Sequence, residues 1–382
     1  MVLSADVLRL ARHALKIDLP AGGTRALNAA RANYTANRSA LLTRFPRVAA
    51  CVPVDLPIGE FVYARDGSLT ARPRPTDWLA GCSVPRLVAR RALQKTDLHG
   101  LVACMLAPMH AQEIVCAFEK LQPHQGMIVV QPALQAVAPL FACADFSQEI
   151  NAGRLFPVVG PAWEREFDKL FETFDTLVPP TQLLRLPLAP GWLLERLTGP
   201  VERVVQAQLT RHVSTLNRIA SRPAFFHRTG SASRLVVLGD SRCTPWRDSG
   251  CTLLKLATGA ERVDWLDASS TLQASPLALA RQAQQNDAIM TADVGRGDLP
   301  AVAPLGMPWI TWSTQGRIPT CIPNATRDRL ILIDDALRRS RTRLTGLTRE
   351  SRSPAVQTIR VQSIETRALP SSPTSGRSNG RR

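Results

Sequence analysis

From Trp78 onward, short continuous apolar runs alternate with segments long enough for a helix. Runs at 101–106, 127–130 and 155–159 are separated by helical patterns at 110–121 and 133–143, and a helical pattern at 84–93 leads in. Unbroken apolar runs of strand length mark strands buried on both faces, so the pattern predicts a parallel sheet covered by helices. Each crossover is expected to be right-handed. The same rhythm restarts near Phe226. Strands are predicted at 234–238, 262–266, 288–292, 309–312 and 330–333, with helices at 249–257 and 276–285. Ser275 should cap the second of these, with Pro276 in its first turn. Between the two units, an acidic-basic helix at 164–174 and a long helical stretch at 192–220 read as connectors.

Ahead of Trp78 the periodicity is different. Residues 4–44 carry helical spacing interrupted at Pro20 and Gly22-Gly23, and Phe45-Pro46 closes a second helix over 25–42. Extended pieces at 51–56 and 61–63, the turn Arg65-Asp66-Gly67-Ser68 and a return strand at 69–72 form a small β element. The expected fold class is therefore α/β, with two Rossmann-like parallel-sheet units. The expected domains are 1–76, 77–225, 226–336 and a disordered tail over 337–382.

Charge sharpens the last boundary. The chain of 382 residues has a formal charge of +16 and 47 basic residues, of which five are lysine. Residues 337–382 hold 11 Arg against Glu350 and Glu365, a net +9, leaving +7 for the rest. Such a Ser/Pro/Arg-rich segment buries too little apolar surface to fold. It could condense weakly on nucleic acid by counterion release, the one route to a nucleic-acid partner. Eight cysteines show neither a zinc-ligand spacing nor a Cys-x-x-Cys pair. No apolar run reaches about 18 residues and the start lacks a signal-peptide core, so no membrane span and a cytoplasmic, soluble protein are expected.

Candidate chemistry gathers where predicted strands empty into polar, glycine-containing loops. In open α/β sheets that edge faces the ligand. Gly239 and Asp240 follow the first strand of the second unit; Asp293, Gly295, Arg296 and Asp298 follow the third; Arg317 follows the fourth. The loop after the first strand lacks Gly-x-Gly-x-x-Gly, which argues against NAD or FAD; no cofactor is expected. In the first unit, Asp145 and Ser147 read as helix caps. His110 stands at a helix start after a strand with no partner acid apparent beside it, so a structural role outweighs a ligand role.

Asn37-Arg38-Ser39-Ala40-Leu41-Leu42-Thr43-Arg44-Phe45-Pro46, with a β element behind it, resembles the start of bacterial motility-associated glycosyltransferase-like proteins. Asn286-Asp287-Ala288-Ile289-Met290, Asp298-Leu299-Pro300 and Met307-Pro308-Trp309-Ile310-Thr311-Trp312 resemble the N-terminal half of CgeB-like spore-maturation glycosyltransferases of GT-B type. The resemblance implies a nucleotide-sugar donor, a glycan or protein acceptor and an acceptor-side cleft. Glycosyl transfer needs a base at the acceptor hydroxyl and positive charge at the departing diphosphate. Asp298 or Asp293 could supply the base, and Arg296 or Arg317 the charge. Gly239, Asp240 and Gly295 would shape the substrate site. The change of composition near residue 337, where a donor domain would begin, leads to the expectation of a truncated or frameshifted relative. The competing expectation is a non-enzymatic binding or scaffold module.

Overall fold

The apolar runs become two parallel sheets in the computed structural model, which describes residues 23–56, 60–74, 77–220, 234–239, 262–268, 270–292, 296, 299, 305, 308–313, 329–332 and 355–358. The chain enters through α1 (Gly23–Arg44) and α2 (Pro46–Cys51), followed by an antiparallel hairpin of β1 (Glu60–Tyr63) and β2 (Leu69–Arg72). One buried side chain fixes α1. Asn37 is fully buried; its Nδ2 donates to the Phe141 and Ala144 carbonyls at 2.8 and 2.7 Å, and its Oδ1 accepts from the Phe146 N–H at 2.6 Å. A polar residue in the resembling segment is thus a stitch between α1 and the chain around Ala144.

The first sheet follows α3 (Pro85–Leu93). Its strands are β3 (Val102–Leu106), β4 (Gly126–Gln131), β5 (Leu155–Val159) and β6 (Gln182–Arg185), in the order β5-β4-β3-β6 with every pair parallel. β3, β4 and β5 are buried along their whole length, which is why their residues read as unbroken apolar runs. Pro157 is tolerated because β5 is an edge strand. The helices are α4 (Ala111–Phe118), α5 (Leu134–Cys143), α6 (Ser147–Asn151) and α7 (Trp163–Thr173). The Ser147 N–H donates to Asp145 Oδ1 at 2.8 Å in a local Asx-type turn, but the N-cap is Phe146 without a side-chain cap, so neither Asp145 nor Ser147 is the cap expected from the sequence. β6 is absent from the sequence reading. It has four residues, is half-exposed and follows Pro179-Pro180, so it shows neither an apolar run nor a clean alternation.

A single helix, α8 (Gly191–Ala220), serves both units. At 1.5 Å per residue its 30 residues span about 45 Å. Leu197, Val201 and Val205 enter the first core, while Ile219 belongs to the second and Leu216 packs on it.

The second sheet comprises β7 (Arg234–Gly239), β8 (Arg262–Asp267), β9 (Ala288–Ala292), β10 (Trp309–Ser313), β11 (Arg329–Leu332) and β12 (Ala355–Thr358). Their order is β12-β11-β10-β9-β7-β8, again all parallel. Helix α9 (Pro276–Ala283) covers one face; Ser275 Oγ accepts from the Ala278 N–H at 3.1 Å, the predicted cap. The expected helices at 4–20 and 249–257 lie outside the described residues. So does the 337–382 segment, apart from the four residues of β12. No helix among the described residues is long and apolar enough to cross a membrane.

The turn after β8 ties the units together. A Cβ on Gly126 would lie 2.9 Å from both the Arg154 carbonyl oxygen and Thr271 Cγ2, so glycine is what lets Thr271 approach β4. Leu272 packs against the first core, and Arg281 of α9 pairs with Asp175.

Candidate functional site

Two parallel sheets give two topological switch points, and the molecule treats them differently. In the first sheet, β3 is followed on one side by β4 and β5 and flanked on the other by β6, so the switch lies between the carboxyl ends of β3 and β6. This edge is sealed by protein. Ala107 leaves β3 with φ 45, a left-handed conformation costing a non-glycine residue about 1 kcal/mol, and its N–H donates to the Val130 carbonyl at 2.8 Å. The chain then dips so that His110 caps α4. His110 Nδ1 accepts from the Gln112 N–H at 3.1 Å, which places the proton on Nε2, the donor to Thr70 Oγ1 at 2.9 Å. Glu113 Oε2 accepts from the Met109 and His110 N–H groups at 2.7 and 3.1 Å, completing a capping box. Gln131 at the end of β4 donates to the Pro108 carbonyl at 2.7 Å. After β6, Leu186 and Ala189 are buried, and Leu188 packs on Cys82 and Val88.

The electrostatics follow from this enclosure. Burial lowers His110 to about 4, with Asp66 acting weakly the other way. Burial likewise raises the Glu113 carboxyl to about 7, opposed by the backbone N–H groups of Met109, His110 and Leu188. Glu113 Oε1 is buried without a hydrogen bond. Both side chains are fully buried, so the ring that stands at a ligand-facing position in the sequence faces the interior. Its acidic partner is three residues away on the helix, legible only as the N3 position of a capping box. Asp66 supports the same corner by accepting from the Arg86 and Leu87 N–H groups at 2.7 and 3.2 Å at the start of α3.

In the second sheet the order β8-β7-β9-β10 places the switch between β7 and β9. Gly239 ends β7 and Ala292 ends β9. The candidate residues Gly239 and Asp240 therefore follow one flanking strand, and Asp293, Gly295, Arg296 and Asp298 follow the other. Asp240, Asp293, Gly295, Asp298 and Arg317 lie outside the described residues. Gly239 sits opposite Asp267, its register partner on β8. A Cβ there would overlap the six-membered ring of Trp265. Arg296 folds back: Nη1 donates to the Leu305 carbonyl at 2.9 Å, and the guanidinium lies 5.6 Å from the Trp309 ring centroid. Trp309 Nε1 donates to Thr291 Oγ1 at 3.0 Å, completing a chain of contacts from the post-β9 segment through β10 to β9.

No family model matches the sequence, and no curated protein matches it. Among solved structures, a MAf glycosyltransferase from Magnetospirillum magneticum AMB-1 is similar at 13% identity and a TM-score of 0.32, over 74% of this chain and 53% of that one. The chain thus spans about half the length of that structure. The likeness to a glycosyltransferase is distant, and at this TM-score it assigns neither fold nor activity.

The described residues contain no group of three or more His, Cys, Asp or Glu side chains placed to hold a metal. One residue at the second edge escaped the sequence reading. Asp267 is the last residue of β8, one position beyond the predicted strand, and its backbone is held on every side. Its N–H donates to Gln273 Oε1 at 2.8 Å, its carbonyl accepts from the Ser270 N–H at 3.1 Å, and the next N–H, of Ala268, donates to the Gly239 carbonyl at 2.7 Å. An acidic residue directly after an apolar strand was the available signal.

Proposed function

We propose that the chain is a glycosyltransferase-like protein whose ligand crevice lies at the carboxyl edge of the second sheet, between β7 and β9. The observation that carries this reading is the strand order. It supports the reading because β7, ending at Gly239, and β9, ending at Ala292, flank the switch point, where open α/β sheets bind ligands. The equivalent edge of the first unit is filled by its own His110, Glu113 and Leu188. In this reading Asp298 or Asp293 acts as base toward an acceptor hydroxyl of a glycan or protein. Arg317 faces the departing diphosphate of a nucleotide sugar. Arg296, engaged with Leu305 and Trp309, holds the loop in place.

Incubation with a panel of nucleotide sugars and oligosaccharide or peptide acceptors tests the enzyme. Released nucleotide is expected from the wild type and at least about a hundredfold less from Asp298→Asn or Asp293→Asn, the scale of losing a general base. Absence of turnover across the panel defeats the catalytic reading. The engagement of Arg296 favours one alternative, a non-enzymatic binding module; ligand-induced thermal stabilisation without turnover is its expected signature.

A further inference from the structure

We infer that helix α3 and the start of α8 form a docking face for an anionic lipid surface, with Leu87 and Trp192 entering the headgroup region and Arg90, Arg91 and Lys95 meeting lipid phosphates. This face belongs to the first unit and is independent of the reading of the β7–β9 edge. Residues 85–96 carry four basic side chains and no acid. In α3 the buried positions are Pro85, Val88, Ala89, Ala92 and Leu93, which turns the opposite side outward. That side holds Leu87, Arg90 and Arg91, and the exposed Gln94 and Lys95 continue it as one stripe at helical spacing.

The charge of this stripe is not cancelled locally. Arg86 and Arg90 share one carboxylate, that of Glu119, at 2.6 and 3.0 Å, while Arg91 Nη1 donates to the neutral Gln94 at 2.6 Å. Lys120 adds a cation at the far end of the helix, where its Nζ donates to the Leu93 and Thr96 carbonyls. Counting Asp66, Asp97 and Glu119 against Arg65, Arg86, Arg90, Arg91, Lys95 and Lys120 leaves a net +3. Two large apolar side chains interrupt this charged surface: Leu87 is 62% exposed and Trp192 65% exposed. Leu188, four residues before Trp192, packs on Val88, the neighbour of Leu87, which brings the two helix starts together. Tryptophan beside basic side chains is the composition of a bilayer-interface surface, where the ring sits at headgroup level and the cations reach anionic lipid. Nucleic acid could use the charge and stack on the indole, yet it offers an aliphatic tip no partner; a lipid surface uses all three.

Co-sedimentation of the full chain with vesicles of phosphatidylcholine alone, and of phosphatidylcholine mixed with phosphatidylglycerol, tests the assignment. Binding to the mixed vesicles is expected to be about tenfold or more tighter, with the difference shrinking in high salt. Segment 337–382 is also basic, so variants in the docking face decide. Arg91→Gln should weaken binding about fivefold, the scale of one basic residue near an anionic surface, and Leu87→Ser combined with Trp192→Ser about tenfold. These positions are exposed, so the variants should fold. Bromine-labelled lipid gives a direct readout: it should quench wild-type tryptophan fluorescence by an increment that Trp192→Phe loses. Equal binding to both vesicle types, wild-type binding by the folded variants, or quenching unchanged in Trp192→Phe overturns the inference. So does tighter binding to duplex DNA or RNA that Arg91→Gln weakens and the Leu87→Ser, Trp192→Ser pair does not, which would assign the face to nucleic acid.

Discussion

Replacing Glu113 by Gln, and separately His110 by Asn, should expose two opposing pH dependences that cancel in the wild type. Glu113 has an ordinary value of 4.5 and stands at about 7 in the fold. Below pH 4.5 it is protonated in both folded and unfolded chains. Between 4.5 and 7 the unfolded chain releases the proton while the fold keeps it, so rising pH favours unfolding, by about 3 kcal/mol over the window. His110 has an ordinary value of 6.5 and stands at about 4. Above 6.5 it is neutral in both states; as pH falls toward 4 the unfolded chain takes up a proton that the fold refuses, costing a similar 3 kcal/mol. The refusal comes from burial of the ring, and protonating Nδ1 would in addition break its acceptance from Gln112. From pH 4.5 to 6.5 the two slopes offset one another. Urea midpoints across pH 4–7.5 give the readout, as differences from the wild type so that other groups drop out. Stability of Glu113→Gln relative to wild type should rise by about 3 kcal/mol between pH 4.5 and 7, and that of His110→Asn should fall by about the same between pH 4 and 6.5. Gln keeps the N3 acceptor and Asn is a competent cap, so both chains should fold. Flat difference curves for both variants would refute the enclosure of this pair.

Asn37→Ala removes three hydrogen bonds, two of them buried and the one to Ala144 partly so, and strands a buried N–H and two carbonyls, with an expected loss of about 3 kcal/mol in chemical denaturation. Gly239→Ala should cost about 1–3 kcal/mol by overlap with Trp265, and adding Trp265→Leu should recover part of it in thermal melts. Arg281→Ala breaks an ion pair whose side chains are 38% and 62% exposed, so its effect should stay under about 1 kcal/mol and fade in high salt.

How much of this was legible depended on how local the signal is. β3, β4 and β5 are continuous apolar runs because sheet and helices bury both their faces, so composition alone located them. Ser275 with Pro276 announced a helix start because capping is settled within four residues. β6 left no such trace, since four half-exposed residues become a strand only by pairing with β3. A structural role for His110 was the favoured reading of the sequence, which shows that a ring stands at a helix start but not that Thr70 and the Gln112 N–H are its partners.

The sequence by itself determined the class of the molecule, a chain of apolar strands and helices in two α/β units, together with the loops in which acidic and basic residues collect. Strand order was decided by tertiary structure alone. Nothing in β7, β8 or β9 says which of them lie side by side, because that follows from crossovers spanning dozens of residues and from shared packing on α8 and α9. That order sealed one switch point, left Gly239 and Ala292 ending the two strands that flank the other, and brought Asp267 beside Gly239 across 28 positions of chain.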